Sequence, residues 1–594
     1  MSTDPRVRLR DLVRGSIRWI PRAPRVGHAL ITVARSDASV PISMGGLVER
    51  NARRHRFEPA LLFEQERWTW RELNGAANRA AHVFAEQGVG IGDVVVLLME
   101  SRPQLLFAVI GLAKLGATAG LVNTALRGEP LAHSIRVTGA RRIVVGEELA
   151  GAFEEVRAGL DLGAPIYAVD PKGGAPCPDG WFDLAPALRD APYGNPSSTA
   201  AVTLGDRLFT IPTSGTTGLP KASVMSHMRW VKAADTAGRI LLNLRPGDVV
   251  YVPLPFFHNM ALSIGWGAVV ASGAAMLMRR TLSVSAFWDD CRRHGVTAFP
   301  YIGELPRYLL QAPPGDDDNP VRAIIGVGMR GEVWGPFARR FDIDEVFEMY
   351  SASEANTAFV NPFGIEGTVG FSPGPHALLA WDADAGELAR DRRGRLRRAR
   401  RGEPGLLVAK VTDRYRYDGY TDASATEGKL LRDVFRRGDC WFDTGDLLRK
   451  VGWGHAVFVD RVGDTFRWRS ENVSTLAVEQ ALGRFPGVRD CTVYGVEVPG
   501  APGRAAMAAI VADDLDPDAL AAHLFAELQE PAVPVFLRLV DSLETTATFK
   551  NRKVDLRTEG FAVDGVLLRL PRARTWVPLT PAIRSELQAG RVVF

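Results

Sequence analysis

Residues Thr213–Val224 read TSGTTGLPKASV: two Ser/Thr clusters, two glycines, a proline and a lysine in one short run. Such a loop suits a polyphosphate. Small residues let backbone N–H groups approach, hydroxyls donate, and lysine supplies a compact charge. A Walker A loop places glycine directly before its lysine and a hydroxyl directly after it. Here Leu219 and Pro220 separate Gly218 from Lys221, and Ala222 follows. The loop is therefore a phosphate loop of another kind, and the rest of the chain must say which.

Around it the sequence alternates apolar strands with helical patterns from about residue 45 to 460. GDVVVLLME reads as a strand, RPQLLFAVIGLAKLG as a helix, ATAGLVN as a strand, and AHSIRVTGARRIVVG as helix then strand. That alternation predicts an α/β fold of parallel sheets covered by helices. After residue 460 the texture changes. CTVYGVEVP and AAMAAIVA read as strands, DPDALAAHLFAEL as a helix and PVFLRLVDSL as a strand, which predicts a separate small α+β domain. The junction DRVGDTF carries Gly463 between charged residues, a composition suited to a hinge. ARDRRGRLRRARRGEPG (389–405) reads as a solvated loop or hairpin.

A chain of 594 residues exceeds what one core supports and predicts several domains. The 72 basic and 68 acidic residues nearly cancel, which argues against a nucleic-acid partner. Cys177, Cys291, Cys440 and Cys491 are far apart and suggest neither a zinc site nor a disulfide framework, in keeping with a cytoplasmic protein. No segment reads as a membrane span; Ala261–Met278 is apolar but better suits a core helix followed by a strand. The N-terminal stretch RVRLRDLVRGSIRWIPRAPR has no continuous apolar region of the signal-peptide kind. It sets Arg10, Arg14 and Arg18 on one stripe and Leu9, Val13, Ile17 and Ile20 on another. Two readings stay open: a peripheral helix on an anionic membrane surface, or a helix docked on the protein.

Lysine is scarce. The basic residues include lysine only at 114, 172, 221, 232, 410, 429, 450, 550 and 553; the others are arginine. A lysine here stands where a compact charge with rotatable donors is wanted and a planar fork is not. This draws attention to Lys221 and to the pair Lys550 and Lys553.

Four later segments complete a constellation: EMYSASEAN with Tyr350 and Glu354, WFDTGDLL with Asp446, FVDRVGDTF with Arg461, and TATFKNRKVDLR with Lys550. Together with the opening loop they resemble the adenylate-forming superfamily. GDTFRW, ENVST, TATFK, VNTALRGEPLAHSI, LPFFHNMAL and FPYIGELPRYLL resemble its fatty-acid-transport-protein or very-long-chain acyl-CoA synthetase branch. The likeness runs from about residue 45 to 560.

The resemblance implies an N-terminal extension (1–44), a large adenylation domain (45–460), a hinge (461–464) and a small mobile C-terminal domain (465–594) that carries the catalytic lysine. It implies ATP-dependent activation of a long- or very-long-chain fatty acid to an acyl-adenylate, then transfer to CoA. Handing the acyl group to a carrier protein is the alternative; an uptake protein with decayed catalysis is a further one. Thr213, Ser214, Gly215, Thr216, Thr217, Gly218 and Lys221 would hold the β- and γ-phosphates, and Glu354 would bind Mg²⁺. Tyr350 would stack on adenine, Asp446 would accept the ribose hydroxyls, and Arg461 would steady ribose and α-phosphate. Lys550 would bridge the carboxylate and the α-phosphate, with Lys553 as the competing choice. His258 falls in the segment that lines the acyl side. The chain departs from the branch pattern at Val327, where asparagine is usual near adenine, and at Ser470, where glycine usually lines the pantetheine tunnel.

Overall fold

The computed structural model describes residues 6–17, 19–23, 27, 37–213, 220–313, 318–382, 386–469, 471–501, 503–545, 551–592 and 594. The segment Ser214–Leu219, Ser470 and Lys550 lie outside the described residues, as does Arg18.

Two sheets of mixed but mainly parallel pairing form the bulk of the chain. A seven-stranded sheet runs in the order Phe182–Asp183, Ile166–Ala168, Arg142–Gly146, Val94–Leu98, Thr118–Leu121, Arg207–Thr213, Lys221–Ser226. Every neighbouring pair is parallel except the last, where Thr213 faces Lys221 across an antiparallel hairpin. An eight-stranded sheet is parallel inside and antiparallel at both edges, with Glu345–Tyr350 next to one edge. Helices Trp70–Glu86 and Pro103–Leu115 pack between these sheets. Their contact is close because Gly111 has no side chain: a Cβ there would stand 3.0 Å from the Ala81 nitrogen. Thr69 caps the first helix in a reciprocal capping box with Glu72, and Pro103 starts the second. Inner strands such as Val94–Leu98 and Ala323–Val327 are apolar on both faces, as strands covered on both sides must be.

The third sheet differs from the expectation. Strands His376–Asp382, Gly405–Lys410, Cys440–Gly452 and His455–Arg461 are antiparallel throughout, with one short helix, Ala423–Glu427, in the stretch. The two residues between Gly452 and His455 permit only a hairpin; a parallel return needs a crossover of a dozen or more. The arginine-rich stretch 389–405 is an excursion of this sheet, with Arg390 bridged to Leu396 and Leu379 to Arg398.

The C-terminal part has its own core. Strands Val488–Glu497, Arg504–Ala512, Phe536–Leu539, Val566–Leu568 and Val577–Pro578 form a sheet with helices Thr475–Gly483 and Pro517–Glu527. Trp468, Tyr494, Phe536 and Leu568 lie at its centre. Arg307 on helix Glu304–Gln311 reaches across to the Arg489 carbonyl and, at 3.1 Å, to Asp490.

The N-terminal helix Leu9–Ile17 is docked. The Val7 N–H donates to the Val451 carbonyl, the Trp19 indole to the Pro362 carbonyl at 3.1 Å, and Arg22 pairs with Glu345 at 2.7 Å. Among the described residues no helix is long and apolar enough to cross a membrane.

Candidate functional site

The edge strand Lys221–Ser226 bonds the connection between the third sheet's strands Gly405–Lys410 and Cys440–Gly452. Val224 N–H donates to the Gly419 carbonyl at 2.9 Å and Thr421 N–H to the Ala222 carbonyl at 3.0 Å. This sets Tyr420 beside Lys221, whose Nζ stands 5.9 Å from the ring centre. The Tyr420 phenol donates to Glu354 Oε1 at 3.3 Å. Lys221 and Glu354, 133 positions apart by their numbers, therefore meet on one tyrosine. The flanks of the hydroxyl-rich run are pinned as well: Thr213 Oγ1 donates to the Lys221 carbonyl at 3.1 Å, and His133 Nε2 lies 2.9 Å from the Pro220 carbonyl.

Arg229 holds the turn that carries Glu354. One guanidinium nitrogen donates to the carbonyls of Ser353 and Ala355, each at 2.7 Å, on either side of Glu354. The other donates to the Val224 carbonyl at 3.0 Å, on the strand that starts at Lys221. Asp418 lies 3.7 Å from Arg229 and accepts the Ser226 N–H at 2.9 Å. A planar fork serving three carbonyls is a task lysine cannot perform.

Across the site, Tyr350 donates to Asp446 Oδ2 at 2.6 Å, and Arg461 Nε stands 3.5 Å from Asp446 Oδ1. Asp446 and Arg461 face each other in adjacent antiparallel strands. Gly445 has φ +73°, which a side chain would resist, and turns the strand so that Asp446 points inward. Burial raises the Asp446 carboxyl above its ordinary value, against the pull of Arg461 and the Tyr350 hydrogen bond. Burial, with Asp446 beside it, also raises the Tyr350 phenol far above its usual range. The sequence reading gave Tyr350 a stacking role only. Its ring is 7 % exposed, stacked on Phe458 with centroids 6.0 Å apart, and its hydroxyl orients Asp446.

The segment Gly326–Arg330, singled out for Val327, is shaped from two sides. Gly328 has φ +79°, and Gly303 packs so closely on it that a Cβ at 303 would meet the Gly328 oxygen at 2.0 Å. From beneath, buried Glu348 accepts the N–H groups of Gly328 and Met329 and the Tyr301 phenol, the last at 2.6 Å. Burial pushes the Glu348 carboxyl up to about 8 against these hydrogen bonds. The proton is thus held more tightly in the folded chain than at the ordinary value of 4.5. The stability this contributes is complete below that value and is lost as pH rises through the folded pKa. Glu348→Gln should therefore gain on the wild type steadily between about pH 4.5 and about 8, read as the difference in urea midpoints. Parallel pH profiles would show that Glu348 does not titrate there.

His258 is half-buried in the turn before Met260–Trp266, and its Nδ1 accepts the Met260 N–H at 3.4 Å. Lys553, the competitor of Lys550, is committed elsewhere: its Nζ lies 2.8 Å from Glu479 and 3.2 Å from Thr475 Oγ1. Burial pulls its pKa down, but Glu479, Asp464 and Asp460 outweigh that and hold it charged. Asn551, next after Lys550, donates to the Cys491 carbonyl at 3.2 Å, one residue from the Asp490 that Arg307 grips.

Sequence reasoning missed Tyr420, Arg229 and Glu348. Lys429 was in reach of the lysine argument. Its Nζ lies 3.4 Å from where a Gly445 Cβ would stand, and its charge favours ionised Asp446.

The model described as AMP-binding enzyme matches residues 48–400, and that of the AMP-binding enzyme C-terminal domain matches 477–550. The chain belongs to the AMP-binding enzyme family. It is 42 % identical over 564 residues to the medium/long-chain-fatty-acid–CoA ligase FadD6 of Mycobacterium tuberculosis, covering 94 % of this chain and 92 % of that one. With the human long-chain fatty acid transport protein 1 it shares 38 % over 547 residues, 88 % of this chain and 84 % of that. Among solved structures, the anthranilate CoA ligase AuaEII in complex with anthranoyl-AMP superposes with a TM-score of 0.75 at 20 % identity, over 87 % of this chain and 97 % of that one. That likeness establishes a shared fold.

Proposed function

We propose that the protein is an AMP-forming fatty acid–CoA ligase acting on long-chain acids. The observation that carries this reading is the convergence of Lys221 and Glu354 on Tyr420, facing Tyr350, Asp446 and Arg461. The identity to fatty-acid–CoA ligase FadD6 over nearly the whole chain supports the substrate class. We assign the parts as 1–44 extension, 45–460 adenylation domain, 461–464 hinge and 465–594 small domain, in keeping with the separate C-terminal core. We place the enzyme in the cytoplasm with a peripheral hold on a membrane.

The first step joins two anions, so charge neutralisation and positioning dominate. A carboxylate oxygen bonds to the α-phosphorus of ATP, the bond from that phosphorus to the bridging oxygen breaks, and pyrophosphate leaves. The hydroxyl-rich loop from Thr213 to Gly218, with Lys221, would grip the β- and γ-phosphates. Asp446, held by Tyr350 and Arg461, would accept the ribose hydroxyls. Lys550 would bridge carboxylate and α-phosphate.

Glu354 fits a Mg²⁺ ligand: among the described residues its carboxylate receives only the long Tyr420 bond, and the neighbouring Tyr417 hydroxyl is buried without a partner. Magnesium keeps waters and needs only one or two carboxylates, and when bound it would neutralise phosphate charge. In the second step the CoA thiolate, its proton given up to solvent, bonds to the acyl carbon, the C–O bond to AMP breaks, and AMP leaves with that electron pair.

ATP–pyrophosphate exchange with fatty acids from medium to very long chain, followed by thioester analysis with CoA, tests the reading. No exchange with any fatty acid would overturn it. Adenylate without CoA thioester would favour a carrier-protein acceptor. The family resemblance puts Ser470 where glycine usually lines the pantetheine path; a serine there would add a Cβ and a hydroxyl to that path, and a strained backbone would cost about 1–3 kcal/mol. Ser470→Gly should therefore speed thioester formation severalfold and leave exchange unchanged. An unaltered thioester rate in an enzyme limited by that step would remove Ser470 from the tunnel.

A further inference from the structure

The docked N-terminal helix turns its apolar stripe outward. Leu9, Val13, Ile17 and Ile20 are 58 %, 55 %, 61 % and 72 % exposed. The opposite face meets the protein: a Cβ on Gly15 would stand 2.6 Å from Phe363. An amphipathic helix that only stabilises a fold buries its apolar stripe. This one is fixed with the stripe in water.

A second observation comes from another part of the chain. Trp453 and Gly454 form the two-residue turn between strands Cys440–Gly452 and His455–Arg461, with φ +51° and +79°. Such a turn strongly prefers Asn-Gly. A tryptophan 61 % exposed stands there instead, beside the point where Val7 N–H bonds Val451. Local backbone preference and burial both disfavour it, and a wet aromatic next to an apolar helix is what the boundary of a bilayer accommodates. The charges agree. Arg8, Arg10, Arg14 and Lys450 are exposed nearby, while Asp11 is the acidic residue of the helix, 3.7 Å from Arg10.

We infer that Leu9, Val13, Ile17, Ile20 and Trp453 form one membrane-docking surface that inserts into the headgroup boundary of an anionic lipid bilayer, with the flanking arginines on its lipid phosphates. The inference rests on the peripheral membrane hold proposed above and names the surface that makes it; it does not depend on the ligase chemistry. Apolar side chains and basic charges together are what hold an interfacial helix on such a surface.

The test is co-sedimentation of the full chain with vesicles of phosphatidylcholine, with and without phosphatidylglycerol. Wild type should sediment with the anionic vesicles at low salt and be released as salt rises. Arg10→Gln/Arg14→Gln should lose about fivefold in partitioning per arginine, from about 1 kcal/mol each. Leu9→Glu/Ile17→Glu should abolish retention. Trp453→Asn should weaken it while melting at the same or a higher temperature, since asparagine suits the turn. Equal retention of all variants would overturn the inference, as would failure of the wild type to bind anionic vesicles. A wild-type dimer that Leu9→Glu/Ile17→Glu dissolves, without vesicle binding, would assign the surface to a second copy and overturn it too.

Discussion

Lys550→Ala is expected to lower ATP–pyrophosphate exchange by about 10²–10³-fold while ATP still binds. A charge that stabilises mainly the transition state contributes little to ground-state affinity, so the loss falls on the rate of adenylation. The two lysines of TFKNRK are separated by their surroundings. Lys553 spends its charge on Glu479 and Thr475 at the start of helix Lys553–Glu559. Its removal would leave Glu479 buried and short of a partner, so Lys553→Ala should lower the melting temperature first and exchange only through that loss. Lys550 directly precedes Asn551, which is tied to Cys491 beside the Asp490–Arg307 contact with the large part of the chain. Thioester formation from pre-made acyl-adenylate should be nearly unaffected in Lys550→Ala. If exchange survives at the wild-type rate, the role passes to another residue, with Lys553→Ala as the next variant to assay.

The α/β layering was legible because helices and buried strands have different apolar periods, and the alternation up to residue 360 shows both. The third sheet was not, because antiparallel strands such as His376–Asp382 and Gly405–Lys410 are themselves apolar runs, and only the shortness of their connections distinguishes them. Motif residues such as Lys221, Glu354 and Asp446 announce themselves by composition and order. Tyr420, Arg229 and Glu348 do not: each acts through partners distant in sequence, and a lone tyrosine, arginine or glutamate reads as ordinary. Lysine scarcity led to Lys221 and Lys550, yet the same filter admits structural lysines. Lys114 is fully buried against Glu49 at 2.7 Å, where burial brings it down to about 8 despite the ion pair. The two stripes of the N-terminal helix were visible, but that neither of them faces the protein follows from Gly15 meeting Phe363, a contact no local pattern contains.

Arg229→Met should weaken Mg²⁺-dependent ATP binding by about 10–100-fold, through the loss of charge-assisted hydrogen bonds worth about 1.5–3 kcal/mol. The guanidinium closes a three-part joint: the strand of Lys221, the turn of Glu354 and, through Asp418, the segment leading to Tyr420. Methionine keeps much of the stem's bulk and removes every donor, so Ser353 and Ala355 lose the group that fixes them on either side of Glu354. The carboxylate then samples orientations that no longer suit the metal. The effect should appear mainly as a raised Mg²⁺ requirement and a raised KM for ATP, with the maximal rate recovering in part at saturating metal. General damage to the fold would instead lower kcat and melting temperature at every magnesium concentration. Arg229→Lys distinguishes charge from shape: one ammonium cannot reach the carbonyls of Ser353, Ala355 and Val224 together, so it should restore stability more than magnesium affinity. Calorimetric ATP binding, with and without Mg²⁺, reads this without catalysis. Equal losses in both titrations would mean that Arg229 supports the nucleotide pocket as a whole and does not position Glu354.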